Sequence, residues 1–341
     1  MNDTMVEFSA FYRSLIRKDN IIYMFFTTGM LFWAVKAITF IPTKVNLVLI
    51  CAGMDESEIT WINKKLKYPT FFINNYWNDK QVHQMLFQVN QNNYGWIDCD
   101  CFVLNPTIFD EMTVLDEHTS INVCWASRDK KSGHLLLNTY LLFINIKSIH
   151  DMNNLSLNTS PGLYIYPQDM SSNRIYPAEP NIIQSNHLPY IQEFNGTYPR
   201  QFSPDKDDGF FDTLLLFQFV AEGLGYDIKR IRMMCHDNYM SDELLHVGGS
   251  SSSSRMGKEA DNIIQKYQFD SRIFHMVSYL LLTELAPELP EMYKKKQMIY
   301  RKLYDIDNKS IRIIRSEIAS LFRKNNLSEG TIDKIFHEDG K

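Results

Sequence analysis

The sequence predicts an α/β protein, with a mostly parallel sheet flanked by helices and a C-terminal helical appendage. Short, uniformly apolar runs alternate with helical patterns through the first hundred residues, as in sheets covered on both faces. Two aspartates follow the fourth apolar run, where parallel sheets bind ligands beyond the carboxyl ends of their strands. From about residue 257 onward the pattern is helical.

The first elements each carry a clear signature. Phe8, Phe11 and Leu15 recur at helical spacing, so residues 1–20 are predicted to contain a short helix. Strands and helices then alternate: strand Ile21–Thr27, helix Leu31–Phe40, strand Val45–Cys51, a helix from Asp55 or Glu56 to Leu66, strand Thr70–Ile73, a helix from Lys80 to about Gln91, and strand Tyr94–Ile97.

The run from Ile21 to Ile41 is apolar and nearly long enough to cross a bilayer. Thr27, Thr28, Gly29 and Lys36 interrupt it. We therefore favour a buried strand that turns at Thr28-Gly29 into a buried helix, over a membrane span.

The second part of the chain is less regular. Its predicted elements are helix Thr107–Met112, strand Ser120–Ala126, a charged turn over 128–133, strand Leu141–Ile146, loops with short strands over 150–208, helix Leu214 to about Glu222, and strand Tyr226–Met233. A run of serines over 250–254 resembles a linker. Two domains are predicted, 1–255 and 256–341.

Composition limits the partners. A net charge of −5 argues against nucleic acid. The five cysteines have no metal-site spacing, which favours reduced thiols and a cytoplasmic location. The C-terminal helices carry Lys294, Lys295, Lys296, Arg312 and Arg315. This basic surface could contact an anionic acceptor, or it could bind peripherally to the inner membrane surface. Alternatively, it is a solvated face of helices that pack on the α/β part of the protein.

Three motifs carry chemistry. Asp98-Cys99-Asp100 places two carboxylates at a strand end, where they repel unless a cation such as Mg²⁺ or Mn²⁺ lies between them; two solvated acids are the alternative. Asp212 precedes a helix, so it is either functional or a helix cap. In His246-Val247-Gly248-Gly249-Ser250, backbone N–H groups near Gly248 and Ser250 can cradle phosphate.

The order of these three motifs along the chain resembles that in the GT-A glycosyltransferases. The resemblance is strongest to the family 2-like bacterial sugar transferases. The resemblance covers about residues 20–255. It implies a GT-A-like, metal-dependent enzyme that transfers a sugar from a nucleotide-diphosphate sugar, with a UDP-sugar favoured, to an acceptor hydroxyl. The implied acceptor is a glycan, a lipid-linked intermediate or a small molecule.

The resemblance also implies roles for single residues. Asp100 would bind Mn²⁺ or Mg²⁺ directly, Asp98 would hold the ribose or reach the ion through water, and His246 would be a further metal ligand, with His236 as its substitute. Asp212 would be the general base, a role for which Asp208 and Asp207 compete. Thr27, Thr28 and Gly29 would border the nucleobase, and Trp125, Asn138 and Thr139 would lie near the donor sugar or acceptor.

Other functions remain open from the residues alone. A haloacid-dehalogenase-like phosphatase also uses an Asp-x-Asp pair, with Asp98 as nucleophile. That motif normally opens its domain, whereas three strand–helix units precede it here. A nucleotidyltransferase of similar fold and a non-catalytic binding protein are the remaining alternatives.

Overall fold

A computed structural model describes residues 2–124, 126–128, 133–168, 179–191, 211–232, 241–247, 271–303, 310–324 and 327–336. The helices are α1 Asn2–Ser14, α2 Leu31–Ile38, α3 Glu56–Lys65, α4 Asp79–Val89, α5 Thr107–Met112, α6 Ile146–Asn154, α7 Leu215–Gly223, α8 Ser271–Leu285, α9 Met292–Leu303, α10 Ile311–Lys324 and α11 Glu329–Ile335. A 3₁₀ turn covers Leu188–Tyr190.

The strands are β1 Ile21–Thr27, β2 Asn46–Ala52, β3 Thr70–Ile73, β4 Tyr94–Asp98, β5 Cys101–Val103, β6 Thr119–Val123, β7 Ala126–Arg128, β8 Leu135–Leu137, β9 Leu141–Ile144, β10 Tyr164–Ile165, β11 Asn181–Ile182, β12 Asp227–Arg230 and β13 Leu244–His246. Seven of them form the main sheet, in the order β12-β6-β9-β4-β1-β2-β3. Only β9 in this sheet runs antiparallel to its neighbours, β4 and β6. The predicted α/β architecture with a mostly parallel sheet is confirmed.

Both faces of the sheet are covered, which explains why its strands are uniformly apolar. Along β1, Ile22 and Met24 face one buried cluster and Ile21 and Tyr23 face the other. This alternation follows from the period of two in a strand. Helix α2 and the C-terminal helices cover the first face, and α1, α4, α6 and α7 cover the second.

The C-terminal helices share the core of the α/β body. The rings of Trp33 on α2 and Phe274 on α8 stack with centroids 5.2 Å apart. The buried ammonium of Lys36 lies 2.9 Å from a carboxylate oxygen of Glu284. The predicted domain boundary at 255/256 falls outside the described residues and stays a prediction.

The basic C-terminal helices turn their apolar sides inward. Ile314, Ile318 and Phe322 of α10 are buried, whereas Lys294 and Lys295 of α9 are exposed. Within the described part of the chain, no helix combines the length and hydropathy that crossing a bilayer requires. The run from Ile21 to Ile41 forms β1 and α2, as predicted.

Several predicted elements differ from the structure. The predicted strand Ser120–Ala126 is two strands, because the chain leaves the main sheet after β6 and forms the β7–β8 hairpin. The predicted strand Leu141–Ile146 ends at Ile144, since Asn145 caps α6 by accepting from the N–H of Lys147. Helix α6 therefore begins before residue 150 and extends into the predicted loop region.

The alternative in which Asp212 caps α7 is wrong. Leu214 is the N-cap residue, with a φ of +67° and no side-chain cap. Asp212 instead accepts a hydrogen bond from the N–H of the adjacent Thr213 at 2.8 Å. The first part of the helix predicted from residue 257 lies outside the described residues.

Candidate active site

The strand order brings two predicted segments to one edge of the sheet. Strands β1 and β4 are parallel neighbours, with Phe25 opposite Asp98. Their carboxyl ends therefore meet, and the Thr28-Gly29 turn lies beside the aspartate pair. Gly95 allows the close packing of β4, since a Cβ there would lie 2.4 Å from Cδ1 of Ile22.

A short antiparallel pair brings His246 to the aspartates. Strand β13 pairs with β5 so that His246 lies opposite Cys101, and the N–H of Val247 donates to the carbonyl oxygen of Asp100 at 3.2 Å. Nε2 of His246 lies 3.4 Å from Oδ1 of Asp100 and 3.6 Å from Oδ2 of Asp98. One ligand atom from each of these residues lies within 4.8 Å of the other two.

This donor set fits a small divalent cation. Two neighbouring ligands of an octahedral ion, each about 2.1 Å from it, lie about 3 Å apart. Burial lowers the pKa of His246, but the carboxylates of Asp100 and Asp98 more than offset it and raise that pKa to about 9. The two carboxylates thus require a nearby positive charge, which a proton on His246 or a bound cation supplies.

Neighbouring aromatic residues orient this cluster. Trp96 and Asp98 are two apart on β4 and share a face, and the indole Nε1–H of Trp96 donates to Oδ1 of Asp98 at 2.6 Å. The opposite oxygen, Oδ2, is the one nearer His246. The ring of Tyr140 stacks on that of His246, with centroids 4.3 Å apart, and its carbonyl accepts from the N–H of Asp98 at 2.8 Å.

The Trp96→Phe substitution tests this orientation. It keeps an aromatic ring against His83, whose centroid lies 4.0 Å away, but removes the donor to Asp98. We expect Mn²⁺ affinity, measured by calorimetry, to fall about 10- to 100-fold, as for other groups that orient metal ligands.

Trp61→Phe is the matched control, because it removes an indole hydrogen bond to the carbonyl of Glu288 in another part of the protein. Unchanged Mn²⁺ affinity in Trp96→Phe would show that the indole does not orient Asp98 for a metal.

Asp212 lies on the same side of the sheet as Asp98. Its Oδ1 is 3.7 Å from the ammonium of Lys80, and its side chain is 45% exposed. The pKa of the adjacent Asp79 is raised to about 6, by desolvation and by the nearby carboxylates of Asp98 and Asp212. Asp79 is exposed, so solvent weakens the effect of desolvation on its pKa. The two nearby carboxylates are therefore the more important cause of the rise. Asp79 therefore lies near both Asp98 and Asp212.

The remaining predicted residues divide into two groups. Thr27, Thr28 and Gly29 lie at the end of β1, and Asn138 and Thr139 lie in the turn before β9, whose Tyr140 contacts the cluster. The others fall outside the described residues: Trp125, Asp207, Asp208, His236, Gly248 and Ser250.

Sequence reasoning assigned no role to several residues at this edge. Trp96 was detectable from its i, i+2 spacing to Asp98. Asp79 and Lys80 begin a capped helix that follows a strand, so their place at the carboxyl edge was also detectable. Tyr140 gave no sequence signal, because its contact depends on tertiary packing.

The fold and the residues at its carboxyl edge define an α/β protein with a mostly parallel sheet and a candidate divalent-cation site. Residues 1–149 match the family model described as the StrH glycosyltransferase N-terminal domain. This match confirms the resemblance to glycosyltransferases and identifies a glycosyltransferase-like domain. It covers less than half of the chain and includes Asp98 and Asp100, but not Asp212 or His246.

Other comparisons are distant. No curated protein matches the chain significantly. The glycosyltransferase GlyE of Streptococcus pneumoniae TIGR4 is 11% identical over 42% of this chain and 40% of its own, with a TM-score of 0.29. A cytidylyltransferase from Leptospira borgpetersenii is 13% identical over 40% of this chain and 64% of its own, with a TM-score of 0.28. Such low TM-scores carry no argument about function.

Proposed function

We propose that this protein is a metal-dependent glycosyltransferase that moves a sugar from a nucleotide-diphosphate sugar, with a UDP-sugar favoured, to an acceptor hydroxyl. The observation that carries the proposal is the convergence of Asp98, Asp100 and His246 at the carboxyl edge of a mostly parallel sheet. The glycosyltransferase family match over residues 1–149 supports it.

The three side chains would hold Mn²⁺ or Mg²⁺. Carboxylate oxygens suit both ions, and the imidazole suits Mn²⁺ in particular. The bound ion would act as a Lewis acid that stabilises the departing nucleoside diphosphate. Trp96 holds Asp98 by its indole hydrogen bond.

Asp212 would accept the proton of the attacking acceptor hydroxyl, if the sugar is transferred with inversion. Its exposure leaves the carboxylate accessible to an acceptor. The ammonium of Lys80 lies 3.7 Å from Oδ1 of Asp212. Asp208 remains the alternative base. Thr27, Thr28 and Gly29 would border the nucleobase at the end of β1.

Thermal unfolding with nucleotides tests the proposed function. We expect the apparent Tm to rise with one member of a panel of UDP, GDP, dTDP, CMP and UMP, and only when Mn²⁺ is present. A ligand that binds only the folded state at 100 times its Kd stabilises by ~2.7 kcal/mol. UDP is the favoured member, and its response identifies the donor class.

Mn²⁺ without nucleotide and nucleotide with EDTA are the controls. The absence of any metal-dependent shift would contradict the proposal and favour a phosphatase with Asp98 as nucleophile, or a non-catalytic binding protein. Turnover of phosphate esters would then separate these two.

A further inference from the structure

A lysine from the C-terminal helical region reaches the same edge of the sheet. Lys296 lies on α9, and its ammonium donates to the carbonyl oxygen of Gly29 in the turn between β1 and α2. This ammonium lies 3.1 Å from the position that a Cβ on Gly29 would occupy. Lys296 is far outside the segment that matches the glycosyltransferase family model, residues 1–149.

The turn beneath Lys296 is held from two sides. The buried carboxylate of Glu58 on α3 accepts from Oγ1 of Thr28 at 2.7 Å and from the N–H of Gly29 at 2.9 Å. It also accepts from the hydroxyl of Tyr293 on α9, which in turn accepts from the N–H of Leu31 at 3.0 Å. Helix α9 therefore has a defined position against the turn, and Lys296 is placed with it.

Among the residues that the structure describes, Lys296 has no ion-pair partner. Among the described residues, no carboxylate lies within 4.0 Å of its ammonium, which instead lies 5.5 Å from the ring centroid of Phe32. The ammonium interacts electrostatically with Glu58 and with Cys99, the residue between the two metal-site aspartates. It therefore lies between the Thr28-Gly29 turn and the end of β4.

The pKa of Lys296 reflects this environment. Desolvation lowers it to about 8, although Glu58 and Cys99 act in the opposite direction. A partly desolvated cation with no ion-pair partner gains free energy when an anion binds beside it. At neutral pH the ammonium is mostly charged, and the side chain is only partly buried.

We propose that Lys296 binds the diphosphate of the nucleotide-sugar donor, so that the C-terminal helical region completes the donor site. The inference rests on the proposed function, and it adds a second positive charge, beside the metal ion, to the proposed donor site. The turn that borders the nucleobase lies on one side of Lys296, and the metal-site aspartates lie on the other. The ammonium and the metal would then neutralise the diphosphate from different directions.

The Lys296→Met variant tests this role, with Lys295→Met as the matched control because Lys295 is an exposed lysine on the same helix. Calorimetry would use the nucleoside diphosphate that stabilises the wild type, with and without Mn²⁺. We expect about a 10- to 100-fold loss of affinity in Lys296→Met, as for a hydrogen bond to a charged group. Lys295→Met should stay within about twofold of the wild type. The Mn²⁺ dependence should persist in both variants.

The Lys296→Arg variant adds a readout that does not depend on loss of the side chain. In the wild type, affinity should be highest well below pH 8 and fall as the pH rises through 8 toward 9, because the ammonium of Lys296 has a pKa of about 8 and loses its proton over this range. Arginine keeps its charge, so the fall should be absent in Lys296→Arg. The groups that face Lys296 are Glu58 from α3, Cys99 from the end of β4 and Tyr293 from its own helix.

The outcomes separate the two proposals. Metal-dependent binding that is equal in the wild type and in Lys296→Met would overturn the role of Lys296 and leave the proposed function intact. If no nucleoside diphosphate binds the wild type, with or without Mn²⁺, both proposals are wrong. Should Lys296→Met fail to fold, the pH profiles of the wild type and Lys296→Arg decide: identical profiles would overturn the inference.

Discussion

Asp100→Asn is expected to abolish Mn²⁺-dependent nucleotide binding while the protein remains folded. The side chain of Asp100 is only 2% exposed, and its Oδ1 lies 3.4 Å from Nε2 of His246. The amide keeps the shape of the carboxylate but lacks its charge, and loss of a direct ligand should cost more than the 10- to 100-fold in metal affinity that is typical of orienting groups.

Asp110→Asn is the control for this experiment. Asp110 is an exposed carboxylate 2.6 Å from the ammonium of Lys44, which precedes β2 and so lies at the amino edge of the sheet. Metal and nucleotide affinities, measured by calorimetry, should be normal in this variant. Retained Mn²⁺-dependent nucleotide affinity in Asp100→Asn would show that the cluster does not hold the metal.

Asp212→Asn should separate binding from chemistry. The carboxylate is 45% exposed and does not belong to the three-residue cluster of candidate metal ligands, so donor affinity should stay within about twofold of the wild type. Loss of a general base typically costs about 10²- to 10⁴-fold in rate. The measurement is sugar transfer at saturating donor, with the donor and acceptor that the wild type accepts.

Asp208→Asn is the comparison for the base assignment, and Asp110→Asn again controls for loss of a surface carboxylate. Normal transfer by Asp212→Asn together with loss of transfer by Asp208→Asn would move the role of base to Asp208. Loss of donor binding by Asp212→Asn would instead give Asp212 a role in the donor site.

Much of the first half of the fold was predictable because its signals are local. Strands β1 and β3 have the predicted bounds, and α3 begins after Asp55, whose capping box with Glu58 is readable from residue types three apart. The aspartate pair was recognisable from its apolar frame. The prediction that it lies at a carboxyl edge followed from the alternation of strands and helices, which implies parallel pairing.

Local signals failed where the chain leaves the main sheet. Nothing in the run 119–126 shows that β6 ends at Val123 and that the next residues form a separate hairpin. The interpretation of Asp212 as the cap of α7 failed for a related reason. Asp212 has the residue type of a cap, but its side chain bonds to Thr213 and lies near Lys80, so its surroundings decide its role.

The sequence by itself determined the α/β class, the succession of the first four strands along the chain and the types of side chain available for metal binding. Each of these depends on residues that are close together along the chain. The tertiary structure decided which of those side chains meet. His246 reaches Asp98 and Asp100 through the pairing of β13 with β5, and Lys296 reaches Gly29 through the packing of α9 against α2 and α3. These contacts join residues more than a hundred positions apart, and they depend on how the whole core is packed.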